Sequence, residues 1–327
     1  METKCVKYYG FGNPQAVLTV ENRPIHNPSN GEILVRMITR PINPSDLIPI
    51  YGSYSHRISL PAIPGYEGVG VVEEVGPSVS GDLIGKRVLP LRGEGTWQEY
   101  VRASAELVIP IPDAIDDFTA AQLYINPVTA WIICTEILRL QTGDILLVNA
   151  CGSTIGRIFA QLSNILGFEL IAVVRNDNHT KELLELGATN VINTSNISLV
   201  NEVQELTNDR GVTAAIDSIG GSEGTELAFC LKQNGIYLSI GLLSGKPVDW
   251  KIISQKAVVK IFHLRHWNQE VSVIKWHETF EQLINYISEK RLKLMTPDTQ
   301  YDLENVKEAV LAVQSPENKR GKVFLNS

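Results

Sequence analysis

The 327-residue chain has little of what most specialised protein classes require. It holds four cysteines, Cys5, Cys134, Cys151 and Cys230, with no Cys-x-x-Cys pair and no cluster with histidine. That spacing argues against a disulfide-stapled secreted scaffold and offers no local zinc motif, so the thiols are expected to be buried and inert. The six histidines are scattered too, and only His263 and His266 stand close together. No apolar run approaches the roughly 18 residues a membrane-spanning helix needs, so no membrane partner is expected. Positive charge is not in excess: 29 Lys+Arg face 36 Asp+Glu, a formal net charge of −7. An overall field of that sign disfavours nucleic acid as a partner. The opening stretch carries Glu2, Lys4 and Lys7 without an apolar core. A signal peptide is therefore not expected, and a cytoplasmic location is.

What is present is the composition of an ordinary folded protein, 44% hydrophobic and 20% charged, with a length that suggests about two domains. The first third reads as β-rich, with short apolar runs at Ile33 to Ile38, Gly68 to Val75 and Arg87 to Leu89. Twelve of the sixteen prolines precede Asp113, which argues against helices or a parallel sheet there. Ala120 to Leu138 reads as a helix pair interrupted by Asn126-Pro127. From Asp144 the chain alternates strand and helix: strands at Ile145 to Asn149, Leu170 to Val174, Asn190 to Ile192, Ala214 to Asp217 and Gly235 to Ile240. The helices between them are Ile155 to Leu166, Lys181 to Leu186, Leu199 to Thr207 and Glu223 to Cys230. Five strands in this rhythm specify an α/β, doubly wound parallel sheet. The tail, with helices around Thr279 to Glu289 and Leu303 to Gln314 and a strand Gly321 to Leu325, is too short to stand alone. The expected division is 1–122 with 262–327 as a β-rich domain, and 123–261 as the doubly wound domain.

Sheets of this kind bind ligands at the carboxyl ends of their strands. The first strand-to-helix turn reads Asn149-Ala150-Cys151-Gly152-Ser153-Thr154-Ile155-Gly156. Gly152 and Gly156 let backbone approach a pyrophosphate, and the helix start offers exposed N–H groups. Cys151 and Ser153 stand where a Gly-x-Gly-x-x-Gly fingerprint has its first two glycines, so a plain tight turn is the competing reading. At the end of the second strand, Val173-Val174-Arg175-Asn176 supplies an arginine where NAD-binding proteins place a carboxylate. A guanidinium pairs with a 2′-phosphate and a carboxylate repels one, so NADPH is expected over NADH.

These features together resemble the medium-chain dehydrogenase/reductase superfamily over essentially the whole chain: a GroES-like β domain, a Rossmann domain and a returning C-terminal segment. Zinc-binding members carry Gly-His-Glu and a cysteine-rich lobe. Here the matching segment is Gly65-Tyr66-Glu67, and Arg92 to Glu106 contains no cysteine, so no metal is expected. Within the zinc-free branch the chain is most similar to 2-enoyl thioester reductases, with quinone oxidoreductases next. The stretches that carry this are Ile42-Asn43-Pro44-Ser45-Asp46, Gly52-Ser53-Tyr54, Gly65-Tyr66-Glu67-Gly68, Gly95-Thr96-Trp97 and Asn126-Pro127-Val128-Thr129-Ala130. The resemblance implies Tyr54 as the catalytic residue. It implies cofactor contacts at Asn43, Asn126, Thr129, Gly152, Ser153, Thr154, Ile155, Gly156, Arg175, Asn176 and Asp177. Further cofactor contacts follow at Ile240, Gly241, Leu242, Leu243, Phe262, His263, Leu264 and Lys322. Pro64-Gly65-Tyr66 replaces the family's Gly-Gly-Asn, and His263 replaces a tryptophan. Tyr66 and Trp97 are the candidate substrate-pocket residues, with a core anchor as the alternative for Trp97.

The expected activity is NADPH-dependent reduction of a carbon–carbon double bond conjugated to a carbonyl, in a 2-enoyl thioester or enone, with a small molecule as substrate. A protonated phenol at Tyr54 can stabilise charge on the carbonyl oxygen and deliver a proton. Tyr51 and Tyr66 are rivals for that role. A quinone oxidoreductase is the alternative, and a non-catalytic NADPH-binding sensor a further one, since fold does not settle function. The branch implies a homodimer, and the apolar stretch Ala257 to Phe262 is a candidate pairing edge or else an internal strand.

Overall fold

A computed structural model describes residues 2–315 and 321–327, which divide into two compact units. Unit 1 comprises Met1–Ile125, Ser272–Ser288 and Leu294–Ser327, and unit 2 comprises Asn126–Val271 and Glu289–Lys293. The chain thus returns to unit 1 at Ser272, past the helix Leu264–Glu270, where the sequence placed the return at residue 262. That helix is tied to unit 2 by Trp267, whose indole N–H donates to Glu136 at 3.2 Å.

The first strands of unit 1 are β1 (Glu2–Tyr8), β2 (Leu18–Pro24), β3 (Glu32–Pro41), β4 (Val69–Val75), β5 (Arg87–Leu89), β6 (Tyr100–Ser104) and β7 (Ile109–Pro110). All their mutual pairings are antiparallel, as expected where turn residues recur every few positions.

Unit 2 contains β8 (Ile145–Val148), β9 (Glu169–Val174), β10 (Asn190–Asn193), β11 (Val212–Asp217), β12 (Leu231–Ser239) and β13 (Val258–Ile261). They form one parallel sheet in the order β10-β9-β8-β11-β12-β13. The sheet has six strands where the sequence rhythm counts five. The sixth, β13, lies within the Ala257–Phe262 stretch and occupies the sheet edge. Its short apolar run is not separated from β12 by a full amphipathic helix pattern, which is why periodicity passes over it. The central strands are apolar where helices cover both faces: Ile145–Val148 throughout, Leu170–Val174 of β9 and Ala214–Ile216 of β11. Leu147, Ile171, Val203, Ala215, Leu227 and Tyr237 meet in one buried cluster.

Two local expectations also change. Asn126-Pro127 lies in the first turn of the helix Ile125–Ile132, and the break comes earlier, at residues 122–124. Proline is tolerated there because a first-turn N–H has no intrahelical acceptor. Glu223 to Cys230 is an α-helical turn Gly221–Glu226 followed by a tighter turn Leu227–Cys230.

The tail adds β14 (Pro297–Asp302) and β15 (Lys322–Asn326) to unit 1. They extend its larger sheet to the order β14-β15-β3-β4-β5-β7, with β6 also pairing with β3. β15 therefore brings Lys322, near the end of the chain, beside residues of the first fifty. Ile42, Leu47, Ile50, Trp97, Val306, Val310 and Leu325 form the core between this sheet and its helices. Among the described residues no helix is long and apolar enough to cross a membrane.

Candidate active site

In unit 2 the order of strands reverses around β8, the first strand of the sheet, and such a switch point is where doubly wound sheets bind ligands. The turn leaving β8 carries Gly152 and Ser153, both half-buried, into the helix Thr154–Leu166. Ser153 caps that helix: its hydroxyl oxygen accepts from Gly156 N at 3.3 Å. Gly156 admits no side chain, since a Cβ would stand 2.2 Å from the Cys151 carbonyl oxygen. At Gly152 a Cβ would stand 2.6 Å from the His179 ring. The turn is therefore a cradle kept open by glycine, with Thr154 and Ile155 opening the helix. Cys151 is buried, and burial pushes its thiol up to about 12, so it is no nucleophile.

At the end of β9, Arg175 is exposed and makes no hydrogen bond or ion pair among the described residues. The Asn176 side chain accepts from Asn178 N at 3.1 Å, and Asp177 accepts from the Thr180 hydroxyl at 3.4 Å. The one carboxylate of this loop is thus turned onto the next helix, and the guanidinium remains available to an anion. That donor set fits a phosphorylated dinucleotide. On the helix Ile125–Ile132, Asn126 and Thr129 are both half-buried and lie one turn apart on the same face.

The loop after β12 runs through Ile240, Gly241, Leu242 and Leu243, the last two exposed. Sequence reasoning missed what holds it. Asp217, buried at the end of β11, accepts from Asn149 Nδ2 at 2.6 Å, Ile219 N at 2.9 Å and the Tyr237 hydroxyl at 2.8 Å. Its own backbone carbonyl accepts from Ile240 N, and the Ser218 carbonyl accepts from Leu243 N. Phe262 is buried, with its N–H on the Ser239 carbonyl. His263 caps the helix that Leu264 begins, its Nδ1 accepting from Arg265 N at 3.1 Å.

In unit 1 the candidate residues converge on a buried polar cluster. Asn43 caps the helix Pro44–Ile50, and its N–H donates to Asp46 at 2.7 Å. Asn43 Nδ2 donates to Glu67 at 2.7 Å, and Lys322 Nζ donates to Asn43 Oδ1 at 2.5 Å. The Asn43 amide is thereby clamped between a carboxylate and an ammonium. Glu67 also accepts from Ile125 N at 2.7 Å and Tyr124 N at 3.2 Å. Burial raises the Glu67 carboxyl and lowers the Lys322 ammonium, each opposed by the other's charge. Lys322 is 7% exposed and engaged with Asn43, so it is not a solvated lysine. Asp46 is raised to about 7, first by burial and then by Glu67, against hydrogen bonds from Asn43 N and Tyr66 N.

Of the three tyrosines, Tyr51 is exposed and its hydroxyl accepts from Gln314 Nε2 at 2.5 Å. Tyr66 is raised to about 12, first by desolvation and then by Asp46, although 43% of the residue's surface is exposed. Tyr54 is half-buried at the start of the turn Ser55–Arg57, and the Arg57 guanidinium carbon lies 3.8 Å from its ring centroid. A cation on the ring face fixes the ring and holds positive charge beside the phenol. Trp97 is wholly buried in the core of unit 1 and presents no surface to a substrate. The core-anchor reading holds for it, and the pocket-wall reading does not. Gly65, at φ +96°, is close-packed on it: a Cβ there would stand 2.3 Å from the indole.

Among the described residues no group of three or more His, Cys, Asp or Glu stands close enough to hold a metal ion.

Two family models match the chain, an alcohol dehydrogenase GroES-like domain over residues 29–113 and a zinc-binding dehydrogenase over residues 154–289. The mitochondrial enoyl-[acyl-carrier-protein] reductase of Xenopus tropicalis is 30% identical over 332 residues, covering 97% of this chain and 94% of that protein. A crystal structure from Bacillus thuringiensis, described provisionally as an NADPH:quinone reductase, is 61% identical and superposes with a TM-score of 0.98 over 100% of this chain and 99% of that one. Escherichia coli quinone oxidoreductase complexed with NADPH shares the fold at 24% identity and a TM-score of 0.89, over 99% of this chain and 100% of that one.

Proposed function

The chain belongs to the medium-chain dehydrogenase/reductase superfamily, and on that premise we propose that it is an NADPH-dependent reductase of an activated carbon–carbon double bond, with a 2-enoyl thioester as the favoured substrate class. The observation that carries this reading is Tyr54 lying half-buried under the Arg57 guanidinium. The Gly152–Gly156 turn would hold the pyrophosphate and Arg175 the 2′-phosphate. Asn126, Thr129, the loops at 240–243 and 262–264, and the Asn43–Lys322 pair are the further residues assigned to the coenzyme. Bound there, NADPH supplies a hydride to the β-carbon of the substrate.

The protein's part is to receive the charge that this step places on the carbonyl oxygen. A Tyr54 hydroxyl can donate to that oxygen and pass a proton toward the α-carbon. A single placed donor of this kind is worth about 3 kcal/mol. Asp46 and Glu67 are positioning groups for the Asn43–Lys322 pair, accepting from Asn43 N and Asn43 Nδ2, and Tyr66 N is held by Asp46. The enoyl-reductase relative spans nearly this whole chain, which supports the thioester reading.

The 61% identical structure favours quinone reduction as a second reading. A quinone takes the developing charge on its own ring oxygen and needs no α-carbon proton donor. Tyr54→Phe separates the two: crotonyl-CoA reduction is expected to fall about a hundredfold while quinone turnover persists. Equal effects on both substrates would remove Tyr54 from the mechanism.

The reading also includes a homodimer that works without zinc. Tyr66 stands where a ligand histidine would be, and β13 leaves an open sheet edge on which Ile261 is 72% exposed. Native mass spectrometry of active protein reads both: twice the chain mass without bound metal is expected, and a monomer or a stoichiometric zinc adduct contradicts it.

A further inference from the structure

One polar cluster of unit 2 has no role in the reading above. Arg157, on the helix that leaves the Gly152 turn, forms a two-pronged ion pair with Glu182, Nε to Oε1 at 2.9 Å and Nη2 to Oε2 at 2.8 Å. Its Nη1 donates to the Gly152 carbonyl oxygen, and its Nη2 lies 3.0 Å from His179 Nδ1. From this geometry we infer that His179 is a further coenzyme-contacting residue, donating its Nε2–H to a phosphoryl oxygen of the dinucleotide, with Arg157 as the positioning residue that sets its tautomer.

The argument begins with the guanidinium, which has donors and no acceptor. At 3.0 Å from it, Nδ1 must present its lone pair, because a proton there would set two N–H groups head to head. Glu182 Oε2 also faces Nδ1, but at 3.5 Å against 3.0 Å for the Arg157 contact, so the guanidinium is the nearer partner and sets the tautomer. The single proton of a neutral imidazole is then on Nε2. That edge of the ring lies on the turn: a Cβ built at Gly152 would stand 2.6 Å from His179 Cδ2 and 3.5 Å from Nε2. Nε2 makes no hydrogen bond among the described residues, and 29% of the side chain remains accessible. His179 also ends the turn Asp177–His179 that follows Arg175, so the ring that borders the glycine turn belongs to the same loop in sequence as the arginine. Its sequence position, four residues past Arg175, carries no motif that would mark it.

The inference rests on the Gly152 turn holding a phosphorylated dinucleotide, and binding measurements test it without turnover. Dissociation constants for NADPH, adenosine 2′,5′-bisphosphate and ADP-ribose would be measured calorimetrically for the parent, His179→Phe, His179→Gln and, as a reference for the 2′-phosphate, Arg175→Ala. His179→Phe is expected to weaken binding about tenfold, as for a lost hydrogen bond to a charged group, and His179→Gln, which keeps an N–H, to recover most of it. A loss confined to NADPH and the bisphosphate assigns the donor to the 2′-phosphate; a loss shared by ADP-ribose assigns it to the pyrophosphate. Unchanged affinities in His179→Phe, or a loss that Gln does not relieve, overturn the assignment. Nitrogen-15 spectra of the parent add a test that needs no variant. The Nε2–H tautomer is expected, with an Nε2 resonance that moves when the bisphosphate binds. An Nδ1–H tautomer, or an Nε2 resonance unmoved by every ligand, overturns the inference. A parent that binds none of the three ligands would overturn the coenzyme assignment itself.

Discussion

The two units assemble their candidate sites in opposite ways. In unit 2 the pieces are local: the glycine turn, its capping serine and the helix that follows span Gly152 to Leu166, and Arg175 directly follows the next strand. In unit 1 the polar cluster joins Asn43, Asp46, Glu67 and Lys322, with the two partners of one hydrogen bond 279 positions apart in sequence. A local site depends on backbone shape, so its weak point is steric. A long-range buried site depends on mutual satisfaction of charges and donors, so its weak point is the loss of one partner.

Glu67→Ala attacks the second kind of site and carries the largest expected effect. It would take one acceptor from the Asn43 amide and from the Tyr124 and Ile125 N–H groups, and remove one of the two carboxylates, with Asp46, whose charge opposes the burial of Lys322. Breaking a buried charged network by removing one partner costs about 3 to 5 kcal/mol, read as a lower urea midpoint at unchanged slope. Glu67→Gln, which keeps one acceptor oxygen, should lose less. Equal and small losses in both variants would mean that Glu67 is not the centre of the cluster.

Gly156→Ala attacks the first kind. Its methyl would meet the backbone of Cys151 at 2.2 Å, and overpacking against backbone costs about 3 kcal/mol. Gly245→Ala is a control with open space around it, at φ +67°, where only backbone strain is added. A Gly156→Ala protein as stable as the parent would show that the turn yields, and that the cradle is not sterically set.

The smallest effect sharpens the comparison through pH. Burial pushes the Asp46 carboxyl up to about 7 in the folded protein, against about 4 for an ordinary aspartate, so between about pH 4 and pH 7 the native state binds a proton that the unfolded chain has released. Stability from this group is full below pH 4 and declines as the pH rises through 7. Glu67 and Lys322 face it with opposite signs. Thermal unfolding midpoints of Asp46→Asn should therefore fall less over this interval than those of the parent. Parallel curves would place the titration elsewhere. At the Gly152 turn burial acts on the Cys151 thiol.

How much of this was legible follows the same division. Strand β11 and the helices from Thr154 and Leu199 announce themselves by apolar runs and by periodicity, because parallel strands and amphipathic helices leave those marks in any sequence. Strand β13 left too short a mark, and Pro127 looked like a break because a proline at a helix start and a proline between helices read alike. Trp97 could be a wall or an anchor until its surroundings were known. Asp217 carried no motif, yet it organises the ends of β8 and β11 and the neighbouring loop through side-chain and backbone hydrogen bonds. Arg40 is similar. It is fully buried, and its guanidinium serves the Thr96, Gln98 and Leu325 carbonyls and the Ser327 hydroxyl.

The order of residues by itself determined the alternation of elements, the glycine turn at the head of the first parallel strand, and the arginine in place of an acid beyond the second. Each is a property of neighbours along the chain, and short-range sterics and charge are enough to impose it. Only the tertiary structure decided that a lysine near the end of the chain would clamp an asparagine near its start, and that His179 would lie over Gly152 with one nitrogen already taken. Proton positions and buried charges depend on what else is within about 4 Å, and that company is chosen by folding.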